Sequence, residues 1–126
     1  MSKKIISTAK APAAIGPYSQ AILAGDTLYC SGQIALDPQT GKLVMDSISI
    51  ETEQIMKNIA EVLKVADMSF SNVVKCSIFM SSMDHYGEIN EVYAQYFSDN
   101  PPAREAVAVK TLPKEVNVEI SVIAVK

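Results

Sequence analysis

Arg104 and Glu119 are the two residues whose types and positions could do chemistry together. Arg104 follows Pro101-Pro102 in an alternating segment, and its same-face neighbours Ala106 and Ala108 are only methyl groups. Its guanidinium would therefore lie at the edge of a hollow, where its planar donors could bind a carboxylate. A small molecule could then be held between this cation and Glu119. The alternatives are an arginine that reaches solvent and a loose surface ion pair worth about 0–1 kcal/mol.

The last two strands, about Arg104–Lys110 and Val116–Val125, are expected to form an antiparallel hairpin. In that register Ala106 faces Glu119, which places Arg104 and Glu119 on the same side. They would be diagonal neighbours about 7–8 Å apart at Cα, too far for an automatic salt bridge but suitable for a bound ligand. A slip of one residue would move Glu119 to the opposite face.

Three other segments offer candidate binding residues. Tyr18 follows Gly16-Pro17 and could present a phenol from a rigid loop, although an ordinary rim aromatic fits equally well. Ser31-Gly32-Gln33 follows an apolar strand, and Gly32 would let a ligand approach the backbone, with a β-bulge or strand end as the alternative. Asn90 on the second predicted helix could reach the sheet edge, or it could simply be solvated.

The sequence offers no nucleophile and no metal cluster. There is no Ser/His/Asp or Cys/His pair at convincing spacing, and no phosphate loop or dinucleotide fingerprint. His85 is the only histidine, and Cys30 and Cys76 lie in apolar runs that are typical of buried free thiols. Any catalysis would therefore depend on binding, water activation and backbone donors, without a metal or cofactor.

The composition indicates one globular domain over residues 1–126. The chain is 48% hydrophobic and 20% charged, which is enough apolar material for a core. A net charge of −3 without a basic stripe argues against nucleic acid and anionic membranes as partners. No apolar run approaches the roughly 20 residues of a membrane span, and the N-terminus lacks the apolar core of a secretory signal. We therefore expect a cytoplasmic protein.

The hydrophobic periodicity predicts the order β-β-β-α-β-α-β-β. This is an α/β (α+β) fold with one sheet and two helices that cover only one face. Because Ile123 and Val125 of the last strand lie on the uncovered face, the chain is expected to pack sheet to sheet as a homo-oligomer.

Several local features of these elements are specific enough to test. The Gly25-Asp26 junction suits a type II′ hairpin turn, and Asp84 is a plausible N-cap of the second helix. In the fourth strand we expect Val74, Cys76, Ile78 and Met80 on one face. The elements are expected at 3–8, 20–24, 27–33, 50–67 (helix), 73–80, 84–98 (helix), 104–110 and 116–125.

Five sequence blocks together resemble the RidA (YjgF-type) family of reactive-intermediate deaminases, also called endoribonuclease L-PSP. They occur in family order and span essentially the whole chain. The resemblance implies a chorismate-mutase-like fold with a mixed sheet, and a homotrimer whose sheets form a central barrel with three intersubunit clefts. The blocks are Ala13–Gln20, Ser31–Ile34, Asn90–Tyr93, Pro102–Arg104, and Leu112-Pro113 followed by Val118–Ile120.

The resemblance also implies a reaction and a set of roles. The reaction is cofactor-free hydrolysis of 2-enamine and 2-imine acids, such as 2-aminoacrylate and 2-aminocrotonate, to a 2-keto acid and ammonia. By position, Arg104 would bind the substrate carboxylate and Glu119 would position or activate water. Ala106 stands where many members carry a cysteine, so only backbone groups are available there. The implied pocket residues are Tyr18, Ser31, Gly32, Asn90, Arg104 and Ala106.

Three other functions remain open from the sequence. The chain could be a regulatory trimer that binds 2-keto acids without turnover. The older family label suggests an RNA-cleaving translation inhibitor, although the acidic balance and the lack of a basic stripe weigh against it. A role in stabilising other proteins also stays open.

Overall fold

A computed structural model of the chain describes residues 2–126, where six strands and two helices occur in the predicted order. No helix in that range is both long and apolar enough to cross a bilayer. The elements are β1 (Lys3–Ile6), β2 (Ala21–Ala24), β3 (Thr27–Cys30), α1 (Ile48–Val65), β4 (Val73–Met80), α2 (Tyr86–Tyr96), β5 (Ala103–Ala108) and β6 (Val118–Val125), with 3₁₀ turns at Phe70–Asn72, Met83–His85 and Pro113–Glu115.

The strands form one mixed sheet in the order β1-β2-β3-β6-β4-β5. Only β4 and β5 are parallel, joined by α2 as a crossover helix. This architecture confirms the predicted fold class. The predicted β5–β6 hairpin is wrong, because β4 lies between the two strands and pairs with both. The crossover places β5 at the sheet edge, so β6 pairs instead between β3 and β4.

The first helix follows its apolar stripe closely. Ser47 caps its N-terminus, where the hydroxyl accepts a hydrogen bond from the backbone N–H of Ile50 at 3.1 Å. The predicted stripe is buried in the core, which confirms the face assigned from the periodicity. Its members are Ile55, Met56, Ile59, Val62, Leu63 and Ala66.

The second helix begins later than predicted, at Tyr86. Asp84 is not its N-cap, because it lies inside a preceding 3₁₀ turn. The cap of that turn is Ser82, whose hydroxyl accepts a hydrogen bond from the Asp84 N–H at 3.0 Å. Ser82 has the extended backbone that a cap requires, which accounts for the shift.

A β-bulge changes the predicted face of β4 at its first residues. The pairing with β6 shifts between Val73 and Lys75, so Val73 is buried and Val74 is 49% exposed. The placement of Val74 on the buried face was therefore wrong. Cys76, Ile78 and Met80 are buried as predicted, because the alternation is regular beyond the bulge.

The hairpin turn matches its prediction, and of the two thiols predicted to be buried, Cys76 is buried and Cys30 is half-buried. Gly25 has a φ of +60° while Asp26 is not among the residues with positive φ, as a type II′ turn requires. Cys30 and Cys76 are both free. Burial raises the pKa of both thiols, that of Cys30 to about 12, so neither is a reactive thiolate near neutral pH.

Glu51 joins the first turn of α1 to the start of β6. Its carboxylate is fully buried and accepts hydrogen bonds from the backbone N–H groups of Asn117 at 2.9 Å and Val118 at 3.0 Å. The side-chain amide of Asn117 donates a third bond, at 3.1 Å. Because these donors satisfy the buried charge, the carboxylate fixes where β6 begins, one residue before Glu119.

Candidate active site

Helix α2 holds the Arg104 guanidinium in a defined orientation. Nη1 donates to Oδ1 of Asn90 at 2.8 Å, and Nη2 donates to the hydroxyl of Tyr86 at 2.6 Å. The guanidinium carbon lies 4.9 Å from the ring centre of Tyr93 and 5.5 Å from that of Tyr86. These contacts use two of the five guanidinium donors and leave three for a ligand.

A cavity of about 340 Å³ opens beside Arg104, between α2 and the Pro101-Pro102 segment. Asn90 lines it together with the ring of Tyr93. Since Oδ1 of Asn90 accepts from Arg104, its amide Nδ2 is free to donate. Asn90 is therefore not a simply solvated helix residue, and the cavity presents donors suited to a carboxylate.

Glu119 lies in a second cavity, of about 300 Å³, on the other face of the sheet. The structure brings Tyr18 and Gly32 to this cavity, where Ile15 and Lys114 also contribute to the wall. Burial raises the pKa of the Glu119 carboxyl above its usual range, because its charged form loses solvation. A carboxylate with a raised pKa beside a cavity is a candidate general base.

Gly32 allows the backbone to approach Glu119 closely. Gln33 and Ile120 exchange two backbone hydrogen bonds, of 2.8 and 3.1 Å, which bring this segment alongside β6. A Cβ atom at Gly32 would collide with Oε2 of Glu119 and lie 2.8 Å from its Cδ. The alternative of a strand end with a bulge is confirmed, since β3 ends at Cys30 and one extra residue lies between its last pair with β6 and the pair of Gln33 with Ile120. The approach of a ligand to the Gly32 backbone stays a prediction.

Gln20 shapes the loop that presents Tyr18, and the sequence alone gave no sign of this role. Its buried amide donates to the carbonyls of Thr8, Ala11 and Pro12 at 3.1, 3.3 and 2.7 Å. Its Oε1 accepts from the N–H of Thr8 at 2.7 Å. The loop is thus folded around one side chain, while Tyr18 remains 53% exposed at its surface.

Ser31 and Ala106 lie outside the linings of the two cavities. The hydroxyl of Ser31 donates to the carbonyl of Ser19 at 2.6 Å, so it ties the strand end to the Tyr18 loop. Ala106 is on the same face of β5 as Arg104, and it packs against the core. Within a single chain their contacts are structural, and their contact with substrate stays a prediction.

Arg104 and Glu119 lie on opposite faces of the sheet. Arg104 pairs with Cys76 and Glu119 pairs with Phe79, three positions further along the same strand. Since successive residues of a strand alternate between faces, an odd offset places the two side chains on opposite sides. Their predicted position as diagonal neighbours on one face is therefore wrong. A single chain cannot hold a small ligand between them.

Residues 8–126 match the family model described as endoribonuclease L-PSP. The chain belongs to this family. It is 47% identical to the human protein named 2-iminobutanoate/2-iminopropanoate deaminase, over 98% of the chain and 90% of that relative. The RidA resemblance, which was based on five sequence blocks, therefore reflects a true family relationship.

Solved structures of the endoribonuclease L-PSP family have the same fold. A protein of the Rid family from Yersinia pestis is 45% identical and superimposes with a TM-score of 0.96, covering 99% of this chain and all of that one. E. coli TdcF, in a structure with bound serine, is 37% identical with a TM-score of 0.93, covering 98% of each chain. These matches confirm the predicted fold class.

Proposed function

We propose that the chain is an imine deaminase that hydrolyses 2-imino acids, and the enamines in equilibrium with them, to 2-keto acids and ammonia. The substrates would include 2-aminoacrylate and 2-aminocrotonate with their imine tautomers. Relatives that bear the name 2-iminobutanoate/2-iminopropanoate deaminase are 47–50% identical over 98% of the chain. The observation that carries the proposal is the Arg104 guanidinium, which α2 holds beside a cavity with three donors free.

The complete site in this proposal forms between protomers of a homotrimer. The cavity at Arg104 in one protomer would face the cavity at Glu119 in a neighbour, because a single chain has them on opposite faces. The uncovered face of the sheet supports such packing, since Ile5, Tyr29 and Val107 on that face are 63%, 51% and 43% exposed.

In the proposed mechanism, positioning and proton transfer supply the rate. Arg104 binds the substrate carboxylate through two N–H donors, and Nδ2 of Asn90 can donate a third bond. Glu119 removes a proton from water as its oxygen bonds to the imine carbon, which gives a tetrahedral carbinolamine. The carboxyl then returns the proton to nitrogen. As the C–N bond breaks, Glu119 relays the hydroxyl proton to the nitrogen, so that the oxygen becomes the ketone and ammonia leaves.

Co-assembly of two inactive variants tests the shared site. Arg104→Ala and Glu119→Gln each break every site when expressed alone. In a mixed trimer, some sites take Arg104 from one chain and Glu119 from the other. With equal expression and random assembly, we expect about a quarter of the parental rate to return, as one half times one half. The measurement is 2-keto acid released from imine generated in situ.

The double variant Arg104→Ala/Glu119→Gln is the control, since it lacks both groups in every chain and should stay inactive. Mixed variants that remain inactive although they co-purify would contradict a shared site. A parent that binds 2-oxobutanoate but does not accelerate its release from imine would instead be a keto-acid-binding regulator.

Gly32→Ala should lower kcat by about 100-fold, because misplacement of a catalytic group by about 1 Å can cost that much. The added methyl would displace the Glu119 carboxylate while leaving its charge in the site. Steady-state rates on imine generated in situ measure the effect. Gly87→Ala is the matched control, since a Cβ there meets nothing within 4 Å. Equal rates for the two variants would show that the close approach has no catalytic importance.

A further inference from the structure

We propose that the Tyr86 hydroxyl is a positioning group that fixes the Arg104 guanidinium for substrate binding. The inference rests on the proposed function, in which Arg104 binds the substrate carboxylate. Tyr86 is the first residue of α2 and is half-buried against the core. Its hydroxyl accepts from Nη2 of Arg104 at 2.6 Å, the shortest of the guanidinium's hydrogen bonds.

The spacing of three residues on α2 explains how the helix holds the guanidinium. Tyr86, Asn90 and Tyr93 are separated by four and three residues, so they lie on one face of the helix. That face meets β5 at Arg104, where two residues supply oxygen acceptors and Tyr93 supplies a ring face. The helix thus contacts the guanidinium at two nitrogens and over its plane.

The second acceptor matters because one hydrogen bond does not fix a planar group. With only the Asn90 bond, the guanidinium can pivot about that contact, and the amide of Asn90 can rotate with it. The Tyr86 bond removes this freedom, since it holds the other terminal nitrogen. Bidentate binding of a carboxylate depends on the orientation of the donor plane, so the loss of this bond weakens substrate binding.

The expected kinetic effect is on KM. The carboxylate is bound in the ground state and in the transition state alike, so its weaker binding raises KM and leaves kcat nearly unchanged. Tyr86→Phe retains the ring and removes only the oxygen. We expect KM for imino acid and Kd for 2-oxobutanoate to rise about tenfold, as typical for a hydrogen bond to a charged group.

Tyr96→Phe is the matched control. It makes the same chemical change on the same helix, but the Tyr96 hydroxyl donates to Glu53 on α1 instead of contacting Arg104. Three quantities are measured on the assembled full-length protein: KM and kcat with imine generated in situ, Kd for 2-oxobutanoate, and the ¹⁵N NMR signals of the guanidinium. Arg104 is the only arginine in the sequence, so those signals need no further assignment.

The inference is supported if Tyr86→Phe raises KM and Kd about tenfold and averages the separate Nη signals through faster rotation, while Tyr96→Phe does neither. It is overturned if both variants keep the parental Kd and NMR signals. An absence of turnover by the parent would contradict the proposed function alone, because Kd and the guanidinium signals still decide the role of Tyr86.

Discussion

Replacing Arg104 with lysine lowers kcat/KM for 2-imino acids by about 100-fold or more, although the positive charge is retained. A lysine ammonium is a point charge and cannot donate two parallel bonds to a carboxylate. It also cannot satisfy Asn90 and Tyr86 while keeping three donors for a ligand. The measurement is the rate of 2-keto acid release at several imine concentrations, with the imine-generating enzyme in excess.

The activity of Arg104→Ala is the reference with which the activity of Arg104→Lys is compared. If the planar guanidinium is essential, the lysine variant loses nearly as much activity as the alanine variant. A lysine variant close to the parental rate would show that only the charge matters, and bidentate binding would be wrong. An alanine variant with parental activity would remove Arg104 from the mechanism altogether.

Glu119→Gln lowers kcat by about 10²–10⁴-fold, the usual contribution of a general base, with little change in KM. The ionised carboxylate is the active form, so the parental rate falls as the pH drops through its pKa. Burial raises that pKa, so we expect the acid limb of kcat/KM above the ordinary glutamate value of about 4.3. The glutamine variant should lack this limb. The measurement is a pH profile of both proteins, corrected for uncatalysed hydrolysis.

Glu61→Gln is a suitable control, because it makes the same change on α1, where Glu61 pairs with Lys64 at 3.4 Å. Its activity and pH profile should match those of the parent. A Glu119→Gln variant with parental kcat, or one that keeps the acid limb, would contradict the role of Glu119 as the base.

Local patterns predicted the elements well, whereas strand partners depended on the whole fold. The α1 stripe and the bounds Val73–Met80 follow from periodicity, which is a property of neighbouring residues. The β5–β6 hairpin failed because alternation shows which residues share a face and not which strand lies alongside. The short connection between the two strands favoured a hairpin, but β4 lies between them and pairs with one edge of each.

The candidate site was predicted in parts. A hollow beside Arg104 was predicted from Ala106 and Ala108, but the cavity found there is lined by α2 and by Pro101-Pro102 instead. At Gly32 the missing side chain leaves room for the Glu119 carboxylate, whereas the predicted approach of a ligand stays a prediction. Tyr86 was missed, although its position four residues before Asn90 on a predicted helix was a usable signal. Gln20 could not be found, because its partners are backbone carbonyls, which every residue type carries.

The placement of Arg104 and Glu119 on opposite faces of the sheet affects how loss-of-function alleles would be interpreted. Under the proposed function, each chain contributes half of two different sites. A single defective polypeptide in a mixed population would then impair the healthy copies bound to it, giving partial dominance. The activity lost when defective and healthy copies are expressed together would thus depend on the contacts between chains as strongly as on the catalytic side chains.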